Sequence, residues 1–118
     1  MTDGRPLVRG DVYIAEIIFP DDKSQKIYKK FVVVIQDSYL FKSSPTVAVL
    51  ILTTNRLDKV YPWEVFLTPE ECKHESGAKI ISNQPYTISK NQLIGYKYSL
   101  SKEKINQTEL AIRKALAM

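Results

Sequence analysis

The chain of 118 residues has little of what several classes of protein require. It contains one cysteine, Cys72, and one histidine, His74, so it can form neither an internal disulfide nor a zinc site built from several cysteines. Its longest apolar run, Val47 to Leu52, is far shorter than the ~20 residues that cross a membrane. The first residues contain no apolar signal core, and we therefore expect a soluble cytoplasmic protein that binds no membrane.

The composition is that of an ordinary folded domain. Hydrophobic residues make up 44% of the chain and charged residues 25%, and we find no internal repeat or low-complexity tract. A chain of this length can bury one core, so we predict a single domain over residues 1–118. Seventeen basic and 13 acidic residues give a net charge of +4, which is compatible with a polyanionic partner.

Basic residues cluster between the first two apolar segments, at Lys23, Lys26, Lys29 and Lys30. A basic loop beside a β-sheet is a place where a phosphate backbone can bind. A solvated turn explains the same cluster equally well.

Short segments rich in β-branched and aromatic residues predict a mainly β fold. Strands are predicted at Asp11–Phe19, Phe31–Ile35, Val47–Thr53, Pro62–Leu67, Lys79–Ser82 and Leu93–Tyr98, with a turn or a single helical turn at Thr87–Gln92. Thr68 and the three residues after it have the pattern of a capped helical turn, with Pro69 at its first position and Glu71 closing a capping box.

One amphipathic helix is predicted at the C-terminal end of the chain. Ser101 is its expected N-cap, and apolar residues recur after it at helical spacing at Ile105, Leu110, Ile112, Ala115 and Leu116. Strands followed by one helix in so short a chain predict an α+β, mainly β fold, in which a small antiparallel barrel-like sheet packs against helices.

Four fragments follow one another along the chain: Gly10-Asp11-Val12-Tyr13, Lys29 to Ile35, Leu52 to Asn55, and Asn83 to Ile88. At these spacings the sequence resembles the MazF/PemK family of toxin endoribonucleases from bacterial toxin–antitoxin pairs, over nearly its whole length. The resemblance implies a small SH3-like or CcdB-like barrel with a C-terminal helix. It also implies an enzyme without metal or other cofactor that cleaves single-stranded RNA as a homodimer and is inhibited by a cognate antitoxin protein.

The resemblance implies a catalytic pair as well. In the family, an arginine at the start of the second strand, usually followed by proline, acts with a threonine at the end of the third. The matching residues here are Lys30, Phe31 and Thr53. Lys30 keeps the positive charge but loses the planar fork of donors that binds a phosphate at two points. We expect Lys30 to stabilise or protonate at the phosphate, and Thr53 to donate a hydrogen bond to it.

A second group of residues is expected to position RNA: Lys26, Lys29, Thr54, Asn55, Asn83 and Gln84. Asn83-Gln84 matches an Asp-Gln pair of many family members, so an amide that can still read a base edge replaces a carboxylate. For all of these residues a structural role is the competing interpretation: solvated charges beside a strand, polar groups at a strand end, or a hydrogen-bonded turn.

Other conspicuous residues are assigned structural roles. His74 has the neighbours of an exposed loop and is not expected to be catalytic, and Cys72 is expected to be a small buried residue. Tyr61 and Trp63 could stack on bases, but core packing or a dimer contact is the favoured interpretation. Tyr13, Phe31, Trp63, Tyr96 and Tyr98 together are more aromatic surface than one small sheet readily hides, which favours a homodimer.

Two other functions stay open. A relative without catalytic activity that only binds RNA or a protein partner would be consistent with Lys30 and Asn83 in place of arginine and aspartate. A CcdB-like inhibitor of DNA gyrase would share the architecture. That family's activity depends on C-terminal residues that follow a tryptophan, however, and Ala115 to Met118 contain no tryptophan.

Overall fold

The computed structural model describes residues 6–36 and 43–116, so residues 117 and 118 of the C-terminal segment considered above lie outside it. Six strands are present: β1 (Asp11–Ile17), β2 (Tyr28–Val34), β3 (Thr46–Thr53), β4 (Glu64–Leu67), β5 (Ala78–Ser89) and β6 (Leu93–Ser99). The described residues also form helices α1 (Pro69–Cys72) and α2 (Lys102–Ala115), and a 3-10 turn at Lys90–Gln92. None of the described helices is long and apolar enough to cross a membrane.

The strands form one antiparallel sheet in the order β4-β5-β3-β2-β1-β6. The predicted class, mainly β with a C-terminal helix, is confirmed. Within the described residues the sheet is not closed into a barrel, because β4 and β6 are its two edges. The hydrogen-bonded ladder therefore curls around a core without joining its ends.

The sheet is buried on both of its faces. Side chains alternate along a strand, so Val32, Val34 and Ile51 belong to one apolar core, whereas Val33 and Leu50 belong to a second on the opposite face. Helix α2 covers the second core, packing there with Ala111, Ile105 and Ile112. This two-sided burial explains why the sequences of β2 and β3 read as continuous apolar runs instead of alternating with polar residues.

The Gly10-Asp11 pair has a structural role at the start of β1. Gly10 has a φ of +94°, and its amide and carbonyl groups bond to Val34 and Leu100, which links β1 to the start of α2. Asp11 is buried and accepts a hydrogen bond of 2.7 Å from the hydroxyl of Ser99 on β6. The pair thus ties three separate segments of the chain together.

Both predicted helix starts are confirmed. Thr68 and Glu71 form the expected capping box at α1, and the side chain of Ser101 accepts from the backbone of Lys104 at α2. The buried positions of α2 differ from the prediction, since Thr108 and Ala111 are buried whereas Leu110 and Leu116 are 52% and 46% exposed. The apolar spacing correctly predicted the helix but assigned two residues to the wrong face.

The predicted boundaries of β5 were wrong. The strand runs to Ser89, so Thr87 and Ile88 pair with β3 and do not form a turn. The register shifts inside the strand, because Val49 pairs with Tyr86 while Ile51 pairs with Ile81. Ser82 to Pro85 therefore stand opposite Leu50 alone, in an outward bulge of several residues. Because the bulge interrupts the two-residue alternation of a strand, the sequence pattern did not predict the second half of β5.

Gly10 should not tolerate a side chain. A Cβ atom at Gly10 would lie 2.5 Å from the Cδ1 atom of Ile105, and φ is unfavourable for any other residue. We expect Gly10→Ala to lower the free energy of unfolding by about 1–3 kcal/mol, measured by chemical denaturation. Gly95→Ala is the matched control, because its Cβ would meet only the Cγ2 atom of Ile14 at 3.5 Å. Equal stability of the two variants would contradict this role of Gly10.

Candidate functional site

Lys30 and Thr53 lie at the same end of the sheet and on the same face. The β2–β3 ladder pairs Val34 with Val49 and ends where Val32 pairs with Ile51. Extending that register by two residues puts Lys30 level with Thr53, just past the last pair. Lys30 lies two residues before Val32 and Thr53 lies two residues after Ile51, so both side chains are on the face of the sheet that carries the first core. Both side chains are partly exposed. The register thus puts Lys30 and Thr53 on the same face, at corresponding positions just past the end of the β2–β3 ladder.

The hydroxyl of Thr53 is held in place by the chain that follows it. The backbone N–H of Asn55 donates to Thr53 Oγ1 at 3.1 Å. A hydroxyl that accepts in this way still has its own hydrogen to donate. Asn55 is exposed directly after β3, whereas Thr54 is exposed on the opposite face, where it lines a cleft with Phe31 and Leu52. The end of β3 therefore presents one oriented hydroxyl with further polar groups beside it.

The lysines separate into two groups. The Nζ atoms of Lys26 and Lys30 lie 5.3 Å and 5.8 Å from the centre of the Tyr28 ring, so both cations flank one aromatic side chain. Lys29 points to the opposite face of β2, where it is exposed and pairs in register with Glu16 on β1. Lys26, Tyr28 and Lys30 form a single basic and aromatic patch to which Lys29 does not belong.

An aromatic row extends from this patch across the sheet. We use that name for Tyr28, Phe19 and Tyr86, whose ring centres are 5.5 Å apart between the first two and 5.8 Å between the last two. The hydroxyl of Tyr86 donates to Gln84 Oε1 at 3.4 Å, at the far end of the row. Tyr28 and Tyr86 were missed from the sequence. Tyr28 could have been found, because it lies between two of the predicted site lysines.

Asn83 and Gln84 are exposed because they lie in the bulge of β5. In a regular strand one of the two would point into the sheet's core, but the extra residues free both from the alternation. The bulge therefore exposes both amide side chains, and that of Gln84 lies at the Tyr86 end of the aromatic row, opposite to the lysines.

The loop between β1 and β2 is organised by Asp22. Its carboxylate accepts hydrogen bonds from the Ser24 hydroxyl at 2.6 Å, the Ser24 amide at 2.9 Å and the Tyr28 hydroxyl at 3.1 Å. The hydrogen bond from the Ser24 hydroxyl, and after it the one from the Ser24 amide, holds the pKa of the Asp22 carboxyl below its usual range. The hydrogen bond that Tyr28 donates to Asp22 raises the pKa of Tyr28. The loop that carries Lys26 is thus tied to the ring that Lys26 flanks.

The environments of His74 and Cys72 match the predictions, whereas those of Tyr61, Trp63 and Tyr13 differ in part. His74 is exposed, with its Nδ1 atom 2.8 Å from the Ser76 hydroxyl, and Cys72 is buried. Tyr61 and Trp63 stack on each other at 4.8 Å and are not part of either core. Tyr13 is completely buried, so it adds nothing to the aromatic surface from which a homodimer was predicted. Within residues 6–36 and 43–116, no group of three His, Cys, Asp or Glu residues is placed to hold a metal ion.

The family model of the PemK-like, MazF-like toxins of type II toxin–antitoxin systems matches residues 8–116. No curated protein matches the chain in sequence.

Several solved structures share the fold. A mycobacterial endoribonuclease in complex with its cognate antitoxin has a TM-score of 0.75 at 19% identity, over 94% of this chain and 95% of that chain. The Mycobacterium tuberculosis toxin MazF-mt6 has a TM-score of 0.74 at 17% identity, over 92% and 97% of the two chains. MazF from Deinococcus radiodurans has a TM-score of 0.75 at 10% identity, over 97% and 99%.

The Asp22 hydrogen bonds predict a measurable titration. Because the folded pKa of this carboxyl is depressed, its stabilising effect on the loop is present above the usual aspartate range and is lost as pH falls through the lower, folded value. We expect the amide resonance of Ser24 to titrate with a midpoint below that of an ordinary aspartate, and to be flat in Asp22→Asn. Ser24→Ala should move the Asp22 midpoint upward, and an unchanged midpoint in that variant would contradict the assignment.

Proposed function

Because the chain belongs to the family of PemK-like, MazF-like toxins of type II toxin–antitoxin systems, we propose that it is an endoribonuclease that cleaves single-stranded RNA. The observation that supports the proposal is the position of Lys30, within β2, and Thr53, at the end of β3: extending the β2–β3 register puts them level with each other and on one face. A cation and an oriented hydroxyl at that spot are the groups that a phosphate requires. Lys30 replaces the family's arginine and keeps a positive charge at the site. Asn83 replaces the family's aspartate and keeps a hydrogen-bonding group there.

The proposed reaction uses the RNA's own 2′-hydroxyl as nucleophile. The 2′-hydroxyl loses its proton to water as a bond forms between the 2′-oxygen and phosphorus, and the bond from phosphorus to the 5′-oxygen breaks, leaving a 2′,3′-cyclic phosphate and, once the 5′-oxygen is protonated, a 5′-hydroxyl. Lys30 stabilises the negative charge that builds up on the phosphate or protonates the departing 5′-oxygen, and Thr53 donates to a phosphate oxygen. We propose that this chemistry needs no metal.

The aromatic row is the proposed path for the RNA strand. Lys26 and Lys30 attract the phosphates, and Tyr28 and Tyr86 offer ring faces and edges against which unpaired bases can pack. Asn83 and Gln84 at one end of the row, and Asn55 next to Thr53, supply the donors and acceptors that read bases. Thr54 lines a cleft on the opposite face with Phe31 and Leu52, so it is not assigned to this path. Lys29, on the other face of β2, contributes to the positive field without contacting the scissile phosphate.

We propose further that the protein works as a homodimer in the cytoplasm and is inhibited by a cognate antitoxin. Large aliphatic side chains are exposed on the described surface, among them Ile27 at 56%, Ile18 at 45% and Ile94 at 44%. Ile18 and Ile27 border the same cleft of about 420 Å³ beside the β1–β2 loop. Neighbouring apolar side chains on the surface of so small a protein are typical of an interface.

Substitution of Lys30 tests the proposed mechanism. We expect Lys30→Ala and Thr53→Ala each to lower the rate of cleavage of an unstructured RNA in EDTA by roughly 10²-fold or more, because each removes a group that acts on the phosphate. Lys29→Ala is the matched control: it removes an adjacent lysine of the same strand that points to the other face, and its effect should be much smaller. Circular dichroism should show all three variants folded.

Three outcomes would contradict parts of this scheme. Strict dependence of cleavage on magnesium would refute the metal-independent chemistry, and a larger loss with Lys29→Ala than with Lys30→Ala would exchange the roles of the two lysines. Binding of RNA without cleavage in any buffer would identify an inactive relative. In that event, Lys30→Arg combined with Asn83→Asp should restore some cleavage, because it returns the bidentate donor and the carboxylate of the family.

The homodimer is tested by sedimentation velocity at micromolar concentration. We expect a species of twice the chain's 13.5 kDa mass. Replacement of both Ile18 and Ile27 by lysine should shift it toward the monomer if their cleft contributes to the interface. A wild-type monomer throughout the concentration range would contradict the proposed assembly.

A further inference from the structure

A lysine is buried next to the candidate site, in the apolar first part of β5. Lys79 on β5 is 3% exposed and has Ala78 and Ile80 as its neighbours in the strand. Its Nζ atom lies 3.0 Å from Glu64 Oε1 on β4 and donates to the carbonyl oxygens of Arg56 at 2.8 Å and Lys59 at 3.0 Å. An ammonium has three hydrogens, so these three acceptors satisfy it completely.

All of these partners belong to one loop or its end. We call residues 54–63, which connect β3 to β4, the β3–β4 loop. Lys79 binds two of its carbonyl groups, and Glu64 Oε1 accepts the backbone N–H of Tyr61 at 3.0 Å. The backbone of the loop is therefore anchored at residues 56, 59 and 61 by one buried pair of charges.

The anchored loop starts at the proposed catalytic threonine. Thr53 pairs with Lys79 across the β3–β5 ladder, and the loop continues from Thr53 through the exposed Asn55. Farther along, the rings of Tyr61 and Trp63 are parallel within 7°, and the Nζ atom of Lys59 lies 4.8 Å from the centre of the Tyr61 ring. The loop thus holds a cation and two stacked rings in a fixed arrangement beside the site.

Stability of the core does not require charges here. Two ions buried together lose their hydration, and apolar residues of similar volume in their place are often neutral or stabilising. What apolar residues could not do is bind the carbonyl groups of residues 56 and 59 and the N–H of residue 61. The contacts that distinguish this pair from an apolar one are all contacts to the β3–β4 loop.

We propose that Lys79 and Glu64 are positioning residues of the RNA site, which fix the β3–β4 loop so that it binds the RNA strand next to the phosphate held by Lys30 and Thr53. The inference rests on the endoribonuclease function proposed above. Lys79 itself touches no substrate, because it is buried under the loop. Its loss should therefore weaken RNA binding and relax the choice of cleavage site more than it slows the chemical step.

The test compares Lys79→Met with Lys104→Met. Lys104 is a matched control, because its Nζ atom also donates to a backbone carbonyl, that of Phe66 at 3.0 Å, and lies near a glutamate, Glu71, at 3.8 Å. Its contacts are to β4 and α1 and not to the β3–β4 loop. We expect Lys79→Met to raise KM for a defined RNA by roughly tenfold or more with a smaller change in kcat, and Lys104→Met to leave KM nearly unchanged.

A readout that needs no activity is available, since Trp63 is the single tryptophan of the chain. Release of the loop should increase the quenching of Trp63 fluorescence by acrylamide in Lys79→Met but not in Lys104→Met. If Lys79→Met alone does not fold, the double variant Lys79→Met/Glu64→Leu removes both charges and leaves no buried ion without a partner. The double variant should fold and show the same increases in quenching and in KM. Lys79→Arg, which keeps the positive charge, should show smaller increases in both.

The outcomes separate this inference from the proposed function. A folded double variant with wild-type quenching and wild-type KM would overturn the role of Lys79 and Glu64. A wild-type protein that cleaves no RNA would refute the endoribonuclease function instead. The quenching data would then still decide whether the pair holds the loop: an increase in the double variant would support the anchor, and no change would refute it.

Discussion

Burial of β2 and β3 on both faces is the constraint on which the rest of this structure depends. Where a strand is buried on both faces, as at Val32–Val34 of β2 and along most of β3, a polar side chain would be left unpaired in a core. Polar chemistry is therefore confined to positions outside these segments: Lys30 precedes the buried half of β2, and Thr53 is the last residue of β3. On β5 the buried Lys79 follows the same constraint, because a carboxylate and two carbonyl groups satisfy its ammonium.

The local signals in the sequence were sufficient for most of the fold. The capping box at Thr68, the N-cap at Ser101 and the apolar runs of β2 and β3 each identify an element on their own, and the structure contains all of them. The second half of β5 could not be predicted. Its bulge opposite Leu50 breaks the two-residue period, and the partner strand that fixes the register is distant in sequence. The exposed Leu110 shows that spacing alone cannot choose between adjacent faces of a helix.

The candidate site was predictable only in part. Family resemblance and strand ends identified Lys30, Thr53 and the amides of the bulge, since these features are read along the chain. The aromatic row was not predictable, because Phe19, Tyr28 and Tyr86 come from three segments that only the folded sheet brings together. The buried pair of Lys79 and Glu64 was missed for the same reason. A lysine in an apolar strand is a visible signal, but its partners are two loop carbonyls that no sequence pattern marks.

The bond between Asp11 and Ser99 has a consequence for the nascent protein. It joins residues 88 positions apart, within a ladder that pairs the first strand of the sheet with the last. During translation β1 can pair with β2 early, but its other edge waits until β6 has left the ribosome. Helix α2, which covers the second core, follows β6. The sheet and its second core are therefore completed only after β6 and α2 have been translated, so a chain interrupted before β6 leaves β1 without its second partner strand.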